Sequence, residues 1–397
     1  MGAPTGKLED GTVTVGGDAR QRFHDARGYG RPAGGRGDAV ELTPVEAAHL
    51  LGRGDLSAVD GMGFREFVTR CADGRFVRRY LVYGDLRERG YYLSPTRWVE
   101  PSPEPSERAD FVVYERGTGP AADRRRYVVR AVGERTSLPA GSLADGVLAI
   151  VDEEGEVTYL GVGEPALSGD SARDLPGDVP GTLLADRVVL WAAPAGLYRR
   201  TFFGHPFGAG TGSGDAGEPS DERSTVPLGL SLVEAAYLAD RGAIRLDPPR
   251  SSLRGDQPGT GATSAGTTPG GAGAGDAGGG TGPGLATVVA RGRELEGDRF
   301  DRRVATYTAL RERGLVPKTG FKFGADFRTY TTVTSVEDLP HAEHLVRVVP
   351  PDHTFLPREL SLDVRLAHGV RKRMVFAIPS PNDRTDIAWR SVRRLTP

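Results

Sequence analysis

Three residues in the last part of the chain carry the side chains that proton transfer at a phosphodiester requires. Tyr330 lies in "GADFRTYTTV", His341 in "PHAEHLVRVV" and Lys372 in "AHGVRKRMVFAI". Cleaving RNA through its own 2′-hydroxyl needs a base on that oxygen, an acid on the departing 5′-oxygen and positive charge at the crowded phosphorane. A tyrosine, a histidine and a lysine can meet those needs without a metal. Metal ligation is the competing reading of the histidines here, His341, His344, His353 and His368. No His-x-x-x-His or carboxylate cluster at ligand spacing accompanies them. The lone Cys71 excludes an intramolecular disulfide framework and a multi-cysteine zinc site.

Charge points to an anionic partner for the same segment. The net charge is −2, yet residues 302–397 hold 14 arginines and three lysines against ten acidic residues, a balance of +7 that leaves −9 on the rest. A basic quarter on an acidic body suits phosphate. The chain has only four lysines, Lys7, Lys318, Lys322 and Lys372. Lysine kept in an arginine-dominated sequence suggests positions where a compact ammonium is wanted.

The elements that must position these residues are written twice. "LTPVEAAHLL" at 42–51 returns as "LSLVEAAYLA" at 230–239, and "VYGDLRERGYYL" at 82–93 as "TYTALRERGLVP" at 306–317. "FVVYERG" at 111–117 pairs with "FRTYTTV" at 327–333, and "YVVRAV" at 127–132 with "HLVRVV" at 344–349. "GVLAIVDEEGEVTYL" at 146–160 matches 374–390 with a short gap, and residues 8–30 lie without gaps over 184–206. The chain therefore reads as two tandem copies of one α+β unit, 8–165 and 184–397, joined by a polar linker at 166–183. Each copy is a small N-terminal α/β subdomain followed by a mixed-sheet, nuclease-like subdomain, which in the second copy spans about 299–397. A helix is expected at 299–313, strands near 327–333, 344–349, 374–379 and 386–391, and a helix at 359–371. The second copy carries insertions at 208–224 and 255–284, the latter a Gly-rich tract with almost nothing to bury, so both read as disordered.

The duplication is an internal comparison. Tyr330 has a counterpart in Tyr114, whereas His341 falls opposite Arg124 and Lys372 opposite Ala144. The reactive residues are confined to the second copy, which suggests one active and one structural copy.

The ordered runs "VPKTGFKFGADFRTY", "HAEHLVRVV" and "DVRLAHGVRKRMVFAI" resemble the archaeal tRNA-splicing endonucleases, and the duplication extends the resemblance over nearly the whole chain. The resemblance implies an enzyme that excises introns from precursor tRNA at a bulge-helix-bulge, leaving a 2′,3′-cyclic phosphate and a 5′-hydroxyl. It implies no cofactor, and a homodimer of two-copy chains that imitates a four-subunit assembly. Tyr330 would be the general base, His341 the general acid and Lys372 the stabiliser of phosphorane charge. A free tyrosine ionises near pH about 10, so a tyrosine base needs cations nearby. Arg365 and Arg390 would hold a bulge base between planar guanidinium faces. Asp152, Glu153 and Glu154 would form an acidic loop that docks in a basic groove of the partner chain. The family writes a serine after the histidine and a tyrosine three on, where this chain has Ala342 and His344.

Two rivals come from other classes. One is a catalytically inactive RNA-binding subunit that needs an active partner. The other is a metal-dependent hydrolase using the clustered histidines. No segment approaches the roughly 18 apolar residues of a membrane span, and the first residues lack a signal-peptide layout, so no membrane partner and a cytoplasmic protein are expected.

Overall fold

The computed structural model describes residues 2–34, 37–101, 109–171, 174–207, 225–246, 283–383 and 385–397. Contacts divide the chain into two compact units. One comprises Met1–Pro165, Pro351–Ile378 and Ala388–Pro397; the other comprises Ala166–Pro350 and Pro379–Ile387. Both mix helices with sheets. Among the described residues no helix is long and apolar enough to cross a membrane. The insertion expected at 208–224 lies outside the described residues, as does 255–284 except at its end, where Pro283–Glu296 is a helix.

The first unit opens with a five-stranded sheet ordered Arg31–Pro32, Val40–Leu42, Thr12–Val15, Thr5–Glu9, Ala58–Val59, its last pair parallel and the others antiparallel. The helix Pro44–Gly52 starts where sequence chemistry says it must. Thr43 accepts the Glu46 N–H, Glu46 reaches back to the Thr43 N–H, and Pro44 occupies the first turn, where its missing N–H costs nothing. Every side chain from Val45 to Leu51 is buried, so this helix belongs to the core rather than the surface. A second, mixed sheet runs Leu93–Pro95, Phe111–Tyr114, Arg125–Gly133, Gly146–Val151, Val157–Gly163, then Ile387–Leu395 and Arg373–Pro379. Gly146–Val151 pairs in parallel with Arg125–Gly133 and is buried along nearly its whole length, as its unbroken apolar run requires.

The second unit repeats the small sheet: His205–Pro206, Thr225–Ser231, Arg187–Pro194, Val179–Leu183 and Ile244–Leu246, again with the last pair parallel. The end of the expected linker is thus a strand. Helices Leu232–Asp240, Pro283–Glu296 and Asp298–Glu312 follow, then an antiparallel set of Val316–Thr319, Phe327–Tyr330 and His344–Val348. The strand expected at 327–333 stops at Tyr330, and the last strand of the chain runs on to Leu395. The gapless register of 8–30 on 184–206 is also not the one the backbone adopts. Leu8 pairs with Val13 as Leu183 pairs with Val188, one residue away from the gapless match. The strand Arg187–Pro194 bulges between Leu190 and Ala193, and a shorter helical turn follows it, Ala195–Arg199 against Arg20–Asp25.

Two buried carboxylates recur in each unit. Asp110 accepts from Arg75 at 2.9 Å, from Arg79 at 2.7 Å and from the Ala131 N–H at 2.9 Å, so it pins the helix Phe76–Glu88 to the sheet. Asp326 accepts from Arg299 at 2.6 Å and the Val348 N–H at 2.8 Å, with Arg303 at 3.2 Å. The second pair sits at the third position of each capped helix. Glu46 accepts from the Gly30 N–H at 2.7 Å and the Trp98 indole at 2.9 Å. Glu234 accepts from the Gly204 N–H at 3.0 Å and from Lys318 at 2.8 Å. Burial raises the pKa of Glu46. Burial would do the same to Glu234, but the Lys318 ammonium and the surrounding N–H donors overcome it and hold that carboxyl at about 2.

Asp110→Ala leaves a buried N–H unpaired beside two arginines that can turn to water. We expect a loss of about 2–3 kcal/mol in urea denaturation. The Glu234 pKa lies below its ordinary value of 4.5, so the unfolded chain binds more protons in the window from 4.5 down to about 2. Stability therefore falls as pH falls through that window. Lys318→Met should cost about 3 kcal/mol at neutral pH and flatten this acid limb, read from denaturation midpoints between pH about 5 and about 2.5.

Candidate active site

Tyr330 is the last residue of Phe327–Tyr330 and is only 5 % exposed. Its ring packs in a cluster with Phe202, Val316, Val333 and Ala342, flanked by Tyr198, Val336 and Leu339. The Arg328 guanidinium lies 5.7 Å from the ring centre, within cation–π range. The phenol oxygen makes no hydrogen bond to a described residue. That differs from Tyr114, whose hydroxyl donates to Ser94 at 3.3 Å.

The chain from Thr331 to Glu343 leaves the sheet and returns to it. Its ends are tied by the Glu343 N–H on the Thr329 carbonyl at 2.9 Å and by Thr331 on Glu343 at 2.7 Å. The segment before the Val179–Leu183 strand fastens it from outside. The Asp170 N–H donates to the Thr331 carbonyl at 3.0 Å, Thr332 to Asp170 at 2.7 Å, and the Val333 N–H to Ser171 at 3.1 Å. Gly169 allows this approach, since a Cβ there would stand 2.5 Å from the Gly314 and Thr331 carbonyl oxygens. The loop thereby brings Ala342 into the cluster around Tyr330 and carries the adjacent His341 with it. His341 is exposed and makes no hydrogen bond to a described residue. His344, three residues on, is 1 % exposed, opens the strand His344–Val348, and shares a hydrogen bond with Thr329 at 3.1 Å.

Lys372, Arg365 and Arg390 belong to the other compact unit. Arg365 is exposed on the helix Pro357–Gly369 and makes no hydrogen bond to a described residue. That helix ends with Arg371 in the left-handed region, φ 57°, and with the Lys372 N–H on the Ala367 carbonyl at 2.9 Å. This is a Schellman-type close with arginine where glycine is usual. It fixes the half-buried Lys372 just ahead of the strand Arg373–Pro379. Arg390 donates to the Leu143 carbonyl at 2.7 Å and the Trp389 carbonyl at 2.8 Å, so the edge of its guanidinium is engaged by backbone. Asp152 builds the hairpin turn by accepting the Glu154 and Glu156 N–H groups at 3.0 and 2.9 Å. Glu153 pairs with Arg135 at 2.8 Å, and both Glu153 and Glu154 are exposed. Among the described residues no three of His, Cys, Asp or Glu gather where a metal could be held.

Sequence reasoning missed Phe202 and the 169–171 segment. Lys318, singled out by lysine usage, is a buried ion-pair partner rather than a surface cation: it donates to Glu234 and to the Phe202 and Gly204 carbonyls. Phe202 has no motif, and its counterpart was concealed by the register slip.

Residues 300–389 match the family profile described as tRNA intron endonuclease, catalytic C-terminal domain. The profile for the tRNA intron endonuclease N-terminal domain matches at 5–68 and again at 179–254. The tRNA-splicing endonuclease of Haloferax volcanii is 50 % identical over 393 residues, covering 99 % of both chains. That of Halobacterium salinarum is 50 % identical over 395 residues with the same coverage, and that of Methanosarcina mazei 33 % identical over 391 residues, covering 94 % of each. With two family profiles in their proper order and full-length relatives at this identity, the chain belongs to the tRNA intron endonuclease family of enzymes.

Proposed function

We propose that this chain excises introns from precursor tRNA at bulge-helix-bulge junctions by metal-independent attack of the 2′-hydroxyl. The chain is then two tandem copies of one unit, a non-catalytic 8–165 and a catalytic 184–397, with 166–183 between them, and it acts as a homodimer. The observation that carries this reading is the contrast between the two tyrosines. Tyr114 is tied to Ser94, whereas the Tyr330 hydroxyl has no hydrogen-bond partner among the described residues and lies beside a loop that presents an exposed histidine. The repeated small sheet, the repeated Asp–Arg–Arg clamp and the double match of the N-terminal profile support the tandem arrangement.

In this mechanism Tyr330 removes the 2′-hydroxyl proton, and the oxygen attacks the adjacent phosphorus. Lys372 stabilises the negative charge on the phosphorane, and His341 protonates the leaving 5′-oxygen. Because the attacking oxygen and the phosphorus sit on one nucleotide, the phosphate stays upstream as a 2′,3′-cyclic ester and the downstream fragment carries a 5′-hydroxyl. Arg365, free of protein partners among the described residues, offers a face on which a bulge base stacks. Arg390 has its edge held by carbonyls, which leaves its plane for the opposite face of that base. His344 is a strand residue with no part in the chemistry.

The test is cleavage of a bulge-helix-bulge RNA in excess EDTA with end-group analysis. Cyclic-phosphate ends are expected from wild type, with the rate lowered at least about a hundredfold in His341→Ala and Lys372→Ala and proton transfer intact in His344→Phe. Tight RNA binding without cleavage by wild type would instead indicate a subunit that needs an active partner. For the dimer, Glu153→Lys with Glu154→Lys reverses two exposed charges and leaves the turn-forming Asp152 alone. Sedimentation velocity should show the dimer shifting toward monomer, and an unchanged dimer would remove the acidic loop from the interface.

A further inference from the structure

The backbone at Phe202 stands at φ 54°, a left-handed conformation that bulky residues avoid. The equivalent position of the first unit is Gly28, at φ 66°. The equivalence follows from the hydrogen bonds. The Phe202 N–H donates to the Tyr198 carbonyl at 2.9 Å and the next N–H, of Phe203, to Leu197; Gly28 donates to His24 at 2.7 Å and Tyr29 to Phe23. A glycine thus fits this turn without strain, and the second unit carries a phenylalanine there.

The ring has a specific task. It meets Tyr330 at 5.9 Å between centres, 60° between planes, and Tyr198 at 5.9 Å. The Lys318 ammonium lies 4.7 Å from its centre and also donates to the Phe202 carbonyl at 3.2 Å. Lys318 is in turn held by Glu234 at 2.8 Å. In the first unit the ring of Tyr92 takes this place: it would stand 2.7 Å from a Cβ on Gly28, and it packs against the cluster of Val99, Val112 and Tyr114. The strand register puts Val316 where Tyr92 stands, since Val316 pairs with Tyr330 and the Tyr92 carbonyl accepts the Tyr114 N–H. Gly28 with Tyr92 has become Phe202 with Val316. The position of Ser94, which binds the Tyr114 hydroxyl, has become Lys318, which turns away to Glu234. Simple filling of space is served equally well by the unstrained arrangement. Strained residues gather at functional sites because the surrounding structure over-determines them there.

We propose that Phe202, held at its ring and its carbonyl by the Lys318 ammonium, is a positioning residue for the Tyr330 phenol, holding its ring while leaving its hydroxyl unbonded for the substrate. This rests on Tyr330 acting in cleavage as proposed above.

The experiment is a double-mutant cycle of Phe202→Gly and Tyr330→Phe in the full chain, read as the single-turnover cleavage constant on saturating bulge-helix-bulge RNA. RNA Kd and thermal unfolding are measured alongside. Phe202→Gly should lower the constant about tenfold or more with RNA Kd unchanged, and should lower it no further once Tyr330 is phenylalanine. Phe202→Tyr, which keeps the ring, should retain the wild-type rate. If Phe202→Gly does not fold, Phe202→Leu carries the same cycle. A wild-type rate without the ring overturns the proposal, and so does an equal loss in the Tyr330→Phe background, which marks a general structural role. A fully active Tyr330→Phe overturns instead the reading on which the proposal rests.

Discussion

A carboxylate buried three residues into a capped helix is the constraint on which each small sheet depends. Glu234 closes the first turn of Leu232–Asp240 through the Ser231 N–H and holds the left-handed Gly204 through its N–H. It also receives Lys318 from the strand Val316–Thr319. One side chain thus fixes the start of a helix, the turn before the short strand His205–Pro206 and the strand that runs beside Tyr330. Glu46 does the first two of these jobs and takes the Trp98 indole for the third. The partner decides the direction of the pKa shift: a neutral indole does not offset burial, which raises Glu46, whereas an ammonium does, which lowers Glu234. Gly204 and Gly30 are required in this scheme, since a Cβ on either would strike a carbonyl oxygen, at 2.6 and 2.1 Å respectively.

The Asp110 and Asp326 clamps complete the joint from the other side. An aspartate at the foot of a strand takes two arginines from one helix and one backbone N–H from the neighbouring strand. Arginine suits this position, because its several N–H donors let two side chains share one carboxylate and it keeps its charge when half-buried. Lysine at 318 works differently. A compact ammonium can sit over the Phe202 ring and divide its donors among two carbonyls and a carboxylate. This gives a physical reason for one of the few lysines in an arginine-rich chain.

Much of this was legible in the residues. The repeat of residues 42–51 at 230–239 marked two segments that both fold as capped helices, and the strands expected near 327–333 and 344–349 are present as Phe327–Tyr330 and His344–Val348. What was illegible depended on distant partners. "VPGTL" has the composition of a linker, yet two flanking strands draw it into a sheet, and pairing of that kind overrides local preference. Residues 351–378 group with the first unit through Thr354–Phe355 against Leu138–Pro139 and the Arg358 N–H on the Glu134 carbonyl, neither of which leaves a local pattern. The register slip arose from a bulge of one residue and a shortened turn, which no apolar pattern signals. At the candidate site, residue types singled out Tyr330, His341 and Lys372. The packing behind Tyr330 stayed invisible because its aromatic ring comes from a residue 128 positions away in sequence order and from a turn where glycine would be expected.

Ser94 and Lys318 hold corresponding strand positions, opposite Val112 and Arg328 and two residues beyond the partners of Tyr114 and Tyr330. A serine beside a buried tyrosine hydroxyl satisfies it, and a satisfied phenol is a structural group. With lysine at that position the hydroxyl partner is absent, and under the proposed mechanism a cation bonded to the phenol would compete with the substrate for its oxygen. The Glu234 carboxylate holds the ammonium, which lies 4.7 Å from the centre of the Phe202 ring. The Lys318 ammonium donates to Glu234 and to the Phe202 and Gly204 carbonyls, so the hydrogen bonds of the charge pair are kept separate from the phenol. Under the proposed mechanism this separation leaves the phenol oxygen to meet a 2′-hydroxyl. The energetic cost falls on the backbone of one residue, Phe202, whose φ is 54°.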